Sequence, residues 1–376
     1  MKLIFKKSDL TESINIVMKA ISNKPAMPIM ECILIDATEG IIKFSSNDME
    51  LAIETIVNGD IVEPGRVAID AKVFSDIIRK LPGDEVTLLM NNDSKVIIES
   101  NQAKFNILTK DAEDFSPLPS IERDKMISIS QYTLKEMINQ TIFAIDDSEK
   151  GKMLNGERFE IKGDKIKVVA LDKFRIAIRS VEINEEYEDF TVVIPGKALN
   201  EISKILTGEM DSLVNIYFSN NYVLFEFDDT LVLSRLIDNA SLFDTDKMLS
   251  NDYNTKMNIN RKELMNCIDR ATLLNKEGEN KPVLLTIKED QLELSINTVL
   301  GTMNEVIPIV REGREQMVAF NPKFLIDILR VLEDETVSLY FTNSKAPCFI
   351  RNEDNSYIYI VLPVILMEDV DYGNNN

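Results

Sequence analysis

The sequence contains no histidine and no tryptophan, and only three of its 376 residues are cysteine. Without histidine, the Ser-His-Asp and Cys-His nucleophile systems are excluded, and the commonest metal ligand is missing. Cys32, Cys267 and Cys348 lie too far apart for a zinc site, and their odd number argues against a disulfide framework. We therefore expect three buried apolar thiols and neither a metal nor a cofactor. An enzyme would have to use carboxylate, lysine or tyrosine chemistry.

A long apolar run is also missing. No segment approaches the roughly 18 uninterrupted apolar residues of a membrane span. The first residues, MKLIFKK, lack the apolar stretch and cleavage site of a signal peptide. We therefore expect a cytoplasmic protein that does not enter a membrane. At 376 residues the chain exceeds the length of about 250 to 300 residues at which single cores stop growing, so several domains are expected.

Two kinds of segment each occur three times and alternate along the chain. The first kind is a short strand, a polar cap and a helix that closes on alanine; it occupies residues 1–20, 126–144 and 257–271. The second kind is an apolar strand, a loop with lysine and a helix with apolar residues at i, i+3, i+4 and i+7; it occupies residues 66–81, 191–206 and 316–332. The sequence therefore predicts three copies of one domain.

Stretches with strand periodicity lie between the helices and contain turn residues where hairpins reverse. They occupy residues 85–98, 212–227 and 336–350. The predicted fold class is α+β, with three repeated domains that each have two helices and about eight strands in antiparallel sheets. The predicted domains are residues 1–122, 123–252 and 253–376, and the last ends in an acidic tail, 367–376.

The formal charge of −21 argues against a nucleic acid partner only if it is spread evenly. The six predicted helical segments, counted with their flanking residues, hold 16 basic and 8 acidic residues, and none is net acidic. The remaining chain then carries −29. Helices that face a common axis are thus expected to present a positive lining that holds phosphates without reading base sequence, inside an acidic exterior.

Five stretches, in this order, carry a resemblance to a known family: NKPAMPI at 23–29, LNG at 154–156, VALDKFRIAI at 169–178, IPGK at 194–197 and YIVLPVIL at 359–366. Together with the threefold repeat, they resemble the bacterial DNA polymerase III beta subunits, the sliding clamps of replication. The resemblance implies a non-catalytic processivity subunit. It also implies a head-to-tail homodimer, whose six domains form a ring around double-stranded DNA with the helices lining the hole.

The resemblance further implies the partners of such a ring. They are the clamp loader, the replicative DNA polymerase, and the repair polymerases, ligase and mismatch-repair proteins that bind through short apolar peptides. The expected location is the nucleoid and the replication fork.

Site residues follow from the repeats and from the resemblance. The expected DNA contacts lie on or beside the predicted inner helices: Lys24, Lys72, Arg79, Lys80, Lys197, Lys204 and Arg270. By position in the family, the dimer contact is expected at Phe105, Leu273 and Leu274. The family's peptide pocket maps to Leu154, Leu171, Phe174, Arg175, Ile176, Met248, Asn321, Phe324, Ile360, Val361, Leu362, Pro363, Val364 and Leu366. Arg175 and Asn321 are expected to bind the polar groups of the peptide.

The sequence departs from the family at the pocket. Lys173 and Phe174 stand where glycine and histidine are common, and Ile365 stands where arginine is usual. Residues 242–245, LFDT, replace the family's Phe-Pro-x-Tyr segment, which leaves the alignment of Met248 open by one position. The ring and the DNA contacts are therefore better supported than the peptide preference.

Two other interpretations remain open at this point. An enzyme would have to use acidic clusters such as Asp146-Asp147 or residues 185–189, but no phosphate-binding loop or histidine accompanies them. A clamp-like paralogue, or a structural repeat protein without polymerase partners, is suggested by the altered pocket. Binding of a peptide that ends in Leu-Phe distinguishes that alternative from a replication clamp.

Overall fold

The structure is a computed structural model that describes residues 1–22, 25–91, 95–116, 118–123, 125–146, 154–238, 245–276 and 281–366. The predicted DNA contact Lys24, the predicted tail 367–376 and most of the segment 242–245 lie outside these ranges.

The described residues contain six α-helices: α1 Lys7–Val17, α2 Ala71–Lys80, α3 Gln131–Asn139, α4 Gly196–Ile205, α5 Arg261–Thr272 and α6 Pro322–Val331. The strands of the first repeat are β1 Lys2–Lys6, β2 Cys32–Asp36, β3 Ile42–Asn47, β4 Leu51–Val57, β5 Asp60–Glu63, β6 Arg66–Asp70, β7 Glu85–Asn91, β8 Lys95–Ser100 and β9 Ala103–Lys110.

The second repeat contributes β10 Lys125–Ser130, β11 Gly156–Leu171, β12 Arg175–Pro195, β13 Leu213–Phe218, β14 Tyr222–Phe227 and β15 Thr230–Arg235. The third contributes β16 Thr255–Asn260, β17 Val283–Ile287, β18 Gln291–Thr298, β19 Gly301–Gly313, β20 Gln316–Phe320, β21 Thr336–Phe341, β22 Cys348–Arg351 and β23 Tyr357–Val361. Short 3₁₀ helices span Met18–Ala20, Pro28–Glu31, Ala112–Asp114, Ile142–Ala144 and Thr245–Met248.

The alternating repeats are confirmed. The three segments of the first kind fold as β1-α1, β10-α3 and β16-α5, and those of the second kind as β6-α2, the end of β12 with α4, and β20-α6. The predicted hairpins form as well, since β7 pairs with β8, β13 with β14 and β21 with β22, all antiparallel. The predicted α+β class with antiparallel sheets is therefore what the described chain shows.

At three strand-to-helix junctions, those of α2, α5 and α6, a side chain caps the helix. Asp70 accepts a hydrogen bond from the Val73 N–H at the start of α2, and Asn260 and Asn321 do the same for α5 and α6. Such a cap satisfies one of the backbone N–H groups that a helix start leaves without a partner. The first repeat departs from the predicted pattern, because Lys6 stands at the cap of α1 and its side chain accepts no bond.

The chain divides into two compact units, although the sequence repeats three times. The first unit is Met1–Lys135 with Lys197–Ile237, and the second is Glu136–Gly196 with Asp238–Asn376. A sheet of 13 strands lies in the first unit, where β15 of the second repeat pairs with β4 of the first. A sheet of 10 strands lies in the second unit, where β12 pairs with β23 of the third repeat. Because each sheet continues from one repeat into the next, the middle repeat is shared between the units.

The cores are apolar and form several clusters in each unit. In the second unit, one cluster joins helices α5 and α6 to the strands around them, with Leu264, Leu329 and Tyr359 among its buried members. Cys32, Cys267 and Cys348 are unpaired and fully buried, as predicted. Burial raises the pKa of the Cys267 thiol to about 12, which keeps it protonated and apolar in character. None of the helices in the described part of the chain has the length and apolar character needed to cross a membrane.

Candidate functional site

A cleft of about 840 Å³ lies in the first unit, between helices α1 and α2 and the end of α4. Its lining residues are Lys7, Ser8, Thr11, Glu12, Asn15, Ile16, Met18, Lys19, Ser75, Arg79, Asp84, Lys204 and Ile205. Two predicted DNA contacts, Arg79 and Lys204, thus meet in one cleft, although they belong to different repeats. Lys7 and Lys19 also line the cleft but were not predicted as DNA contacts. Both lie on or just after the first helix, so the criterion used for the predicted contacts could have found them.

The basic side of α2 is exposed because its opposite side packs into the core. Phe74 and Ile78, one turn apart, are fully buried, so Lys72, Arg79 and Lys80 point to solvent. Arginine and lysine in the last turn also complement the negative end of the helix dipole. The packing of α2 therefore leaves all three cations exposed to solvent, and Arg79 among them lines the cleft.

Most cations of this surface already have a carboxylate neighbour. Arg79 pairs with Asp76 at 2.6 Å, and Lys204 pairs with Glu201 at 2.7 Å, both three residues apart on one helix. An exposed pair such as Arg79–Asp76 contributes about 0–1 kcal/mol, so a phosphate can replace its carboxylate at little cost, whereas Glu201 is only 19% exposed. Lys72 and Lys80 are exposed and have no ion pair within the ranges that the structure describes.

Lys197 and Arg270 are more firmly paired. The Lys197 Nζ lies 2.6 Å from the Asp48 Oδ2, and the Asp48 side chain is only 5% exposed. Arg270, in the second unit, donates from two nitrogens to the two carboxylate oxygens of Glu305. This hydrogen bonding raises the pKa of Arg270 and lowers the pKa of Glu305. Both cations can still approach a phosphate, but only in competition with these carboxylates.

The predicted positive bias of the helices is smaller than the sequence count suggested. Within their observed bounds, the six helices hold twelve basic and eight acidic residues, for a net charge of +4. The prediction that no helix is net acidic is wrong for α1, which contains Lys7 but also Asp9 and Glu12. The predicted segment counted Lys6, Lys19 and Lys24, which flank the helix. The positive charge therefore lies largely at the helix ends and on α2.

The predicted dimer residues are exposed to different degrees. Phe105 is exposed on β9, and Leu108 on the same strand is also exposed. Leu273, just after α5, is 76% exposed, whereas Leu274 is partly buried against the core of the second unit. Exposed apolar side chains of this size suit a contact with another chain. Leu274 supports that surface from below and presents little of its own.

Exposed apolar side chains lie in the second unit, around the turn between β11 and β12 and the segment after β23, and we call this surface the apolar groove. Phe174 is 53% exposed in the turn, and its ring stacks on that of Phe324 in the first turn of α6. The Leu362 N–H donates to the Phe174 carbonyl at 2.8 Å, and the Val364 N–H donates to the Ala319 carbonyl of β20 at 2.8 Å. The segment 362–366 is thus fixed beside the stacked rings.

The predicted pocket residues divide into a surface and its support. Exposed or partly exposed side chains are those of Leu154, Leu171, Phe174, Met248, Asn321, Phe324, Leu362, Pro363, Val364 and Leu366. Ile176, Ile360 and Val361 are buried in strands β12 and β23, so they shape the groove from beneath. Alternation along the strand could not have separated these two groups, because all five residues of β23 are buried.

Arg175 and Asn321, the two polar residues expected to bind a peptide, both make contacts within the chain. Arg175 is 8% exposed; its Nε donates to Asp172 at 3.0 Å, its Nη1 donates to Asp327 at 2.7 Å, and its Nη2 donates to the Phe143 carbonyl. The Asn321 side chain caps α6. The donors of Arg175 thus already have partners within the chain, which argues against a direct contact with a peptide. The cap uses only the Oδ1 of Asn321, so a peptide contact by its amide nitrogen stays a prediction.

The residues that hold Arg175 were not identified from the sequence. Asp327 lies on α6, 152 residues further along the chain. The Arg175 guanidinium also faces two aromatic rings, with its carbon 4.7 Å from the Phe324 centroid and 5.3 Å from that of Phe143. The single available signal was the aspartate one turn after Phe324, on the same side of a predicted helix.

Comparison with known proteins agrees with the observed repeats. Profiles of the N-terminal, central and C-terminal domains of the DNA polymerase III beta subunit match residues 1–119, 128–241 and 246–365. The chain is 35% identical to the beta sliding clamp of Bacillus subtilis, over 97% of this chain and 99% of that protein.

Solved structures agree as well. A chain from Eubacterium rectale, described as a candidate DNA polymerase III beta subunit, is 50% identical with a TM-score of 0.93, over 97% of this chain and all of that one. The Bacillus subtilis sliding clamp is 34% identical with a TM-score of 0.92, over 97% of this chain and 99% of that one. With three clamp domains matched, the chain belongs to the DNA polymerase III beta subunits, the beta sliding clamps, which act in DNA replication as non-catalytic processivity factors.

Proposed function

We propose that two copies of this chain join head to tail into a closed ring that encircles duplex DNA and tethers the replicative polymerase. Ring assembly as a dimer is known for the family. Three domains per chain, proposed at 1–122, 123–252 and 253–376, give six domains in a dimer, and a head-to-tail interface closes into a ring when the rotation fits. The proposed contact uses Phe105 from one copy and Leu273 with Leu274 from the other.

The observation that carries the DNA proposal is the cleft in which Arg79 and Lys204 meet. Two repeats contribute cations to one surface, as a phosphate-binding lining built from repeated helices requires. We assign the DNA contacts to Lys24, Lys72, Arg79, Lys80, Lys197, Lys204 and Arg270. The exposed cations Lys72 and Lys80, and the exposed pair of Arg79 with Asp76, suit binding that depends on salt and ignores base sequence, because a phosphate meets little competition there.

We assign the peptide site to the apolar groove around Phe174. The partners proposed for it are the polymerase, the clamp loader, the repair polymerases, ligase and the mismatch-repair proteins, each through a short apolar peptide. Support comes from several exposed apolar side chains on a fixed frame, among them Phe174, Leu362 and Val364. A few backbone bonds and a mostly apolar lining are typical of such sites. These partners place the protein at the replication fork of the nucleoid.

Encirclement is tested with nicked circular DNA and a clamp loader. The loaded protein should stay on the circle and leave within minutes once the DNA is cut open, because a ring slides off a free end. Loss at equal rates from circular and linear DNA contradicts encirclement. The free protein should also have about twice the chain mass of 42.7 kDa.

The DNA contacts are tested by charge reversal. In the double variant Lys72→Glu and Lys80→Glu, we expect the loaded fraction at about 0.1 M salt to fall by roughly tenfold, with a weaker dependence on salt. The control is Lys95→Glu with Lys165→Glu, which changes the net charge equally at exposed strand positions. Equal losses in both variants indicate an effect of net charge alone and contradict the assigned contacts.

A further inference from the structure

The acidic tail, residues 367–376, follows directly on the segment that borders the apolar groove. It reads MEDVDYGNNN and contains three acidic residues and no basic one. The matched profile of the C-terminal domain ends at residue 365. The tail is therefore a feature of this chain and lies outside the part that it shares with the family profile.

The groove combines an apolar centre with two neighbouring cations. The rings of Phe174 and Phe324 stack with their centroids 6.0 Å apart, and Phe174 is about half exposed. Lys173 and Lys323 each adjoin one of these phenylalanines in the chain, and both lysines are exposed. No ion pair joins either lysine to another residue in the described ranges. An occupant with apolar and acidic side chains therefore suits this surface.

The carboxylates closest to the rings do not oppose an acidic occupant. Arg175 pairs with Asp172 at 3.0 Å and with Asp327 at 2.7 Å. Both carboxylates are mostly buried, with 16% and 15% of their side chains exposed. Their negative charge is thus neutralised within the chain, which leaves the charge of the two exposed lysines available.

The order of residues in the tail complements the groove. Val370 and Tyr372 alternate with Asp369 and Asp371. In an extended backbone, the first pair points to one side and the second pair to the other, so one side is apolar and the other acidic. Lys173 stands where the family commonly has glycine, so an additional cation at the groove occurs together with an additional acidic segment.

The tail is long enough to return to the groove. The Leu362 N–H donates to the Phe174 carbonyl, and Leu362 is four residues before Leu366, the last described residue. Four extended residues span about 14 Å, so Leu366 lies within roughly 20 Å of Phe174. The six residues from Leu366 to Tyr372 also span about 20 Å when extended. Tyr372 can therefore reach the Phe174 ring without any change in the described chain.

We propose that the acidic tail occupies the apolar groove of its own chain, with Val370 and Tyr372 on the rings and its acidic residues beside Lys173 and Lys323. This inference rests on the proposed peptide site and adds a regulation of it, because a partner peptide must first displace the tail. A short tether gives an effective concentration of about 1 mM. A contact with a dissociation constant of about 0.2 mM would then weaken a competing peptide about sixfold.

The test measures the affinity of a fluorescently labelled peptide that ends in Leu-Phe, by fluorescence anisotropy. We expect a chain that stops at Leu366 to bind this peptide roughly three- to tenfold more tightly than the full chain. A synthetic peptide of the sequence 367–376, added at about 1 mM, should displace the label from the truncated chain. Deletion of residues 374–376 alone is the matched control and should leave the affinity unchanged.

Two variants of the full chain separate the apolar from the acidic contribution. Val370→Ser with Tyr372→Ser removes the apolar side, so it should give most of the gain seen on truncation. Neutralising the acids should give a smaller gain, which disappears at about 0.5 M salt because exposed charges are then screened. That variant combines Glu368→Gln, Asp369→Asn and Asp371→Asn.

Lys173→Gln tests the groove side of the contact. The gain on truncation should be smaller in this variant than in the unchanged chain, because the tail has lost one of its partners. The readout is the ratio of the affinities of full and truncated chain, so a direct effect of Lys173 on the labelled peptide cancels. An undiminished ratio contradicts the contact of the tail with Lys173.

The outcomes separate the tail from the peptide site. If neither the full nor the truncated chain binds the labelled peptide, the proposed peptide site is wrong. If both bind it equally, or the truncated chain binds it more weakly, the tail does not occupy the groove, while the site stands. A gain that appears only as the protein concentration rises places the tail in the groove of another copy and overturns the contact within one chain.

Discussion

Arg79 and Arg175 each have an aspartate three residues before them, but their surroundings differ sharply. In the basic cleft, Arg79 pairs with Asp76, and both side chains are at least half exposed. In the apolar groove, Arg175 pairs with Asp172 and with Asp327, and all three side chains are largely buried. The same sequence spacing thus produces an exchangeable ion pair in one place and a fixed structural element in the other.

The difference follows from solvation. Water competes for an exposed pair, whose contribution to stability is about 0–1 kcal/mol, so Arg79 can leave Asp76 for a DNA phosphate. Water reaches the Arg175 cluster poorly, and removing one member leaves uncompensated charges in a low-dielectric site. A sliding surface benefits from the first arrangement because no single contact should hold the DNA. The apolar groove benefits from the second arrangement, because Arg175 holds the Phe324 and Phe143 rings that it faces in place.

The largest expected effect is therefore on stability, at Arg175. Replacing it in Arg175→Met should lower the free energy of unfolding by about 3–5 kcal/mol, because Asp172 and Asp327 lose their shared cation. Arg79→Met should change it by no more than about 0.5 kcal/mol. Urea unfolding followed by circular dichroism measures both. If the two variants lose similar amounts of unfolding free energy, the two arginines do not differ in their structural role.

The sequence predicts these two regions unequally well. The repeats, the hairpins and the basic surface of α2 depend on local patterns, such as the buried Phe74 and Ile78 one turn apart, and those patterns are readable along the chain. The role of Arg175 depends on Asp327, which is remote in sequence, and on burial that only the packed sheet and helix create. A family motif predicts that a residue lies at a site. Whether its hydrogen-bond donors remain available to a ligand depends on the residues that pack around it.

Glu157 offers a third case, a buried carboxyl without a cation. It lies at the start of β11 and is fully buried, and its one hydrogen-bond partner among the described residues is the Thr141 hydroxyl at 2.7 Å. Burial raises the pKa of this carboxyl well above its usual range, against the smaller lowering effect of the Thr141 hydrogen bond. The folded protein thus favours the neutral acid, whereas the unfolded chain ionises it above the ordinary carboxyl pKa.

The sign of the pH effect follows from that difference. Stability falls as pH rises above the ordinary carboxyl range, because only the unfolded state then releases the proton freely. Glu157→Gln should therefore raise the free energy of unfolding at pH 8 by about 1–3 kcal/mol, with a smaller gain near pH 4. Urea unfolding at both pH values measures this. If the unmodified protein is more stable than Glu157→Gln at pH 8, the expectation is contradicted and Glu157 is ionised in the folded protein.

The smallest expected effect separates two lysines that we assign to the DNA surface. Lys197 neutralises Asp48, whose carboxylate also accepts the N–H groups of Glu50 and Leu51. These backbone hydrogen bonds remain in Lys197→Gln. The free energy of unfolding should therefore fall by about 0.5–1 kcal/mol in that variant and by about zero in Lys72→Gln.

DNA loading should show the reverse order. Lys72 has no ion pair in the described residues, so its charge is fully available to a phosphate, while Lys197 must first leave a nearly buried carboxylate. Loading assays at low salt should therefore show the greater loss for Lys72→Gln. If Lys197→Gln impairs loading more and leaves stability unchanged, the Asp48 pair is as exchangeable as that of Arg79. Burial of one partner would then be too little to fix a charge, and both partners must be buried, as they are around Arg175.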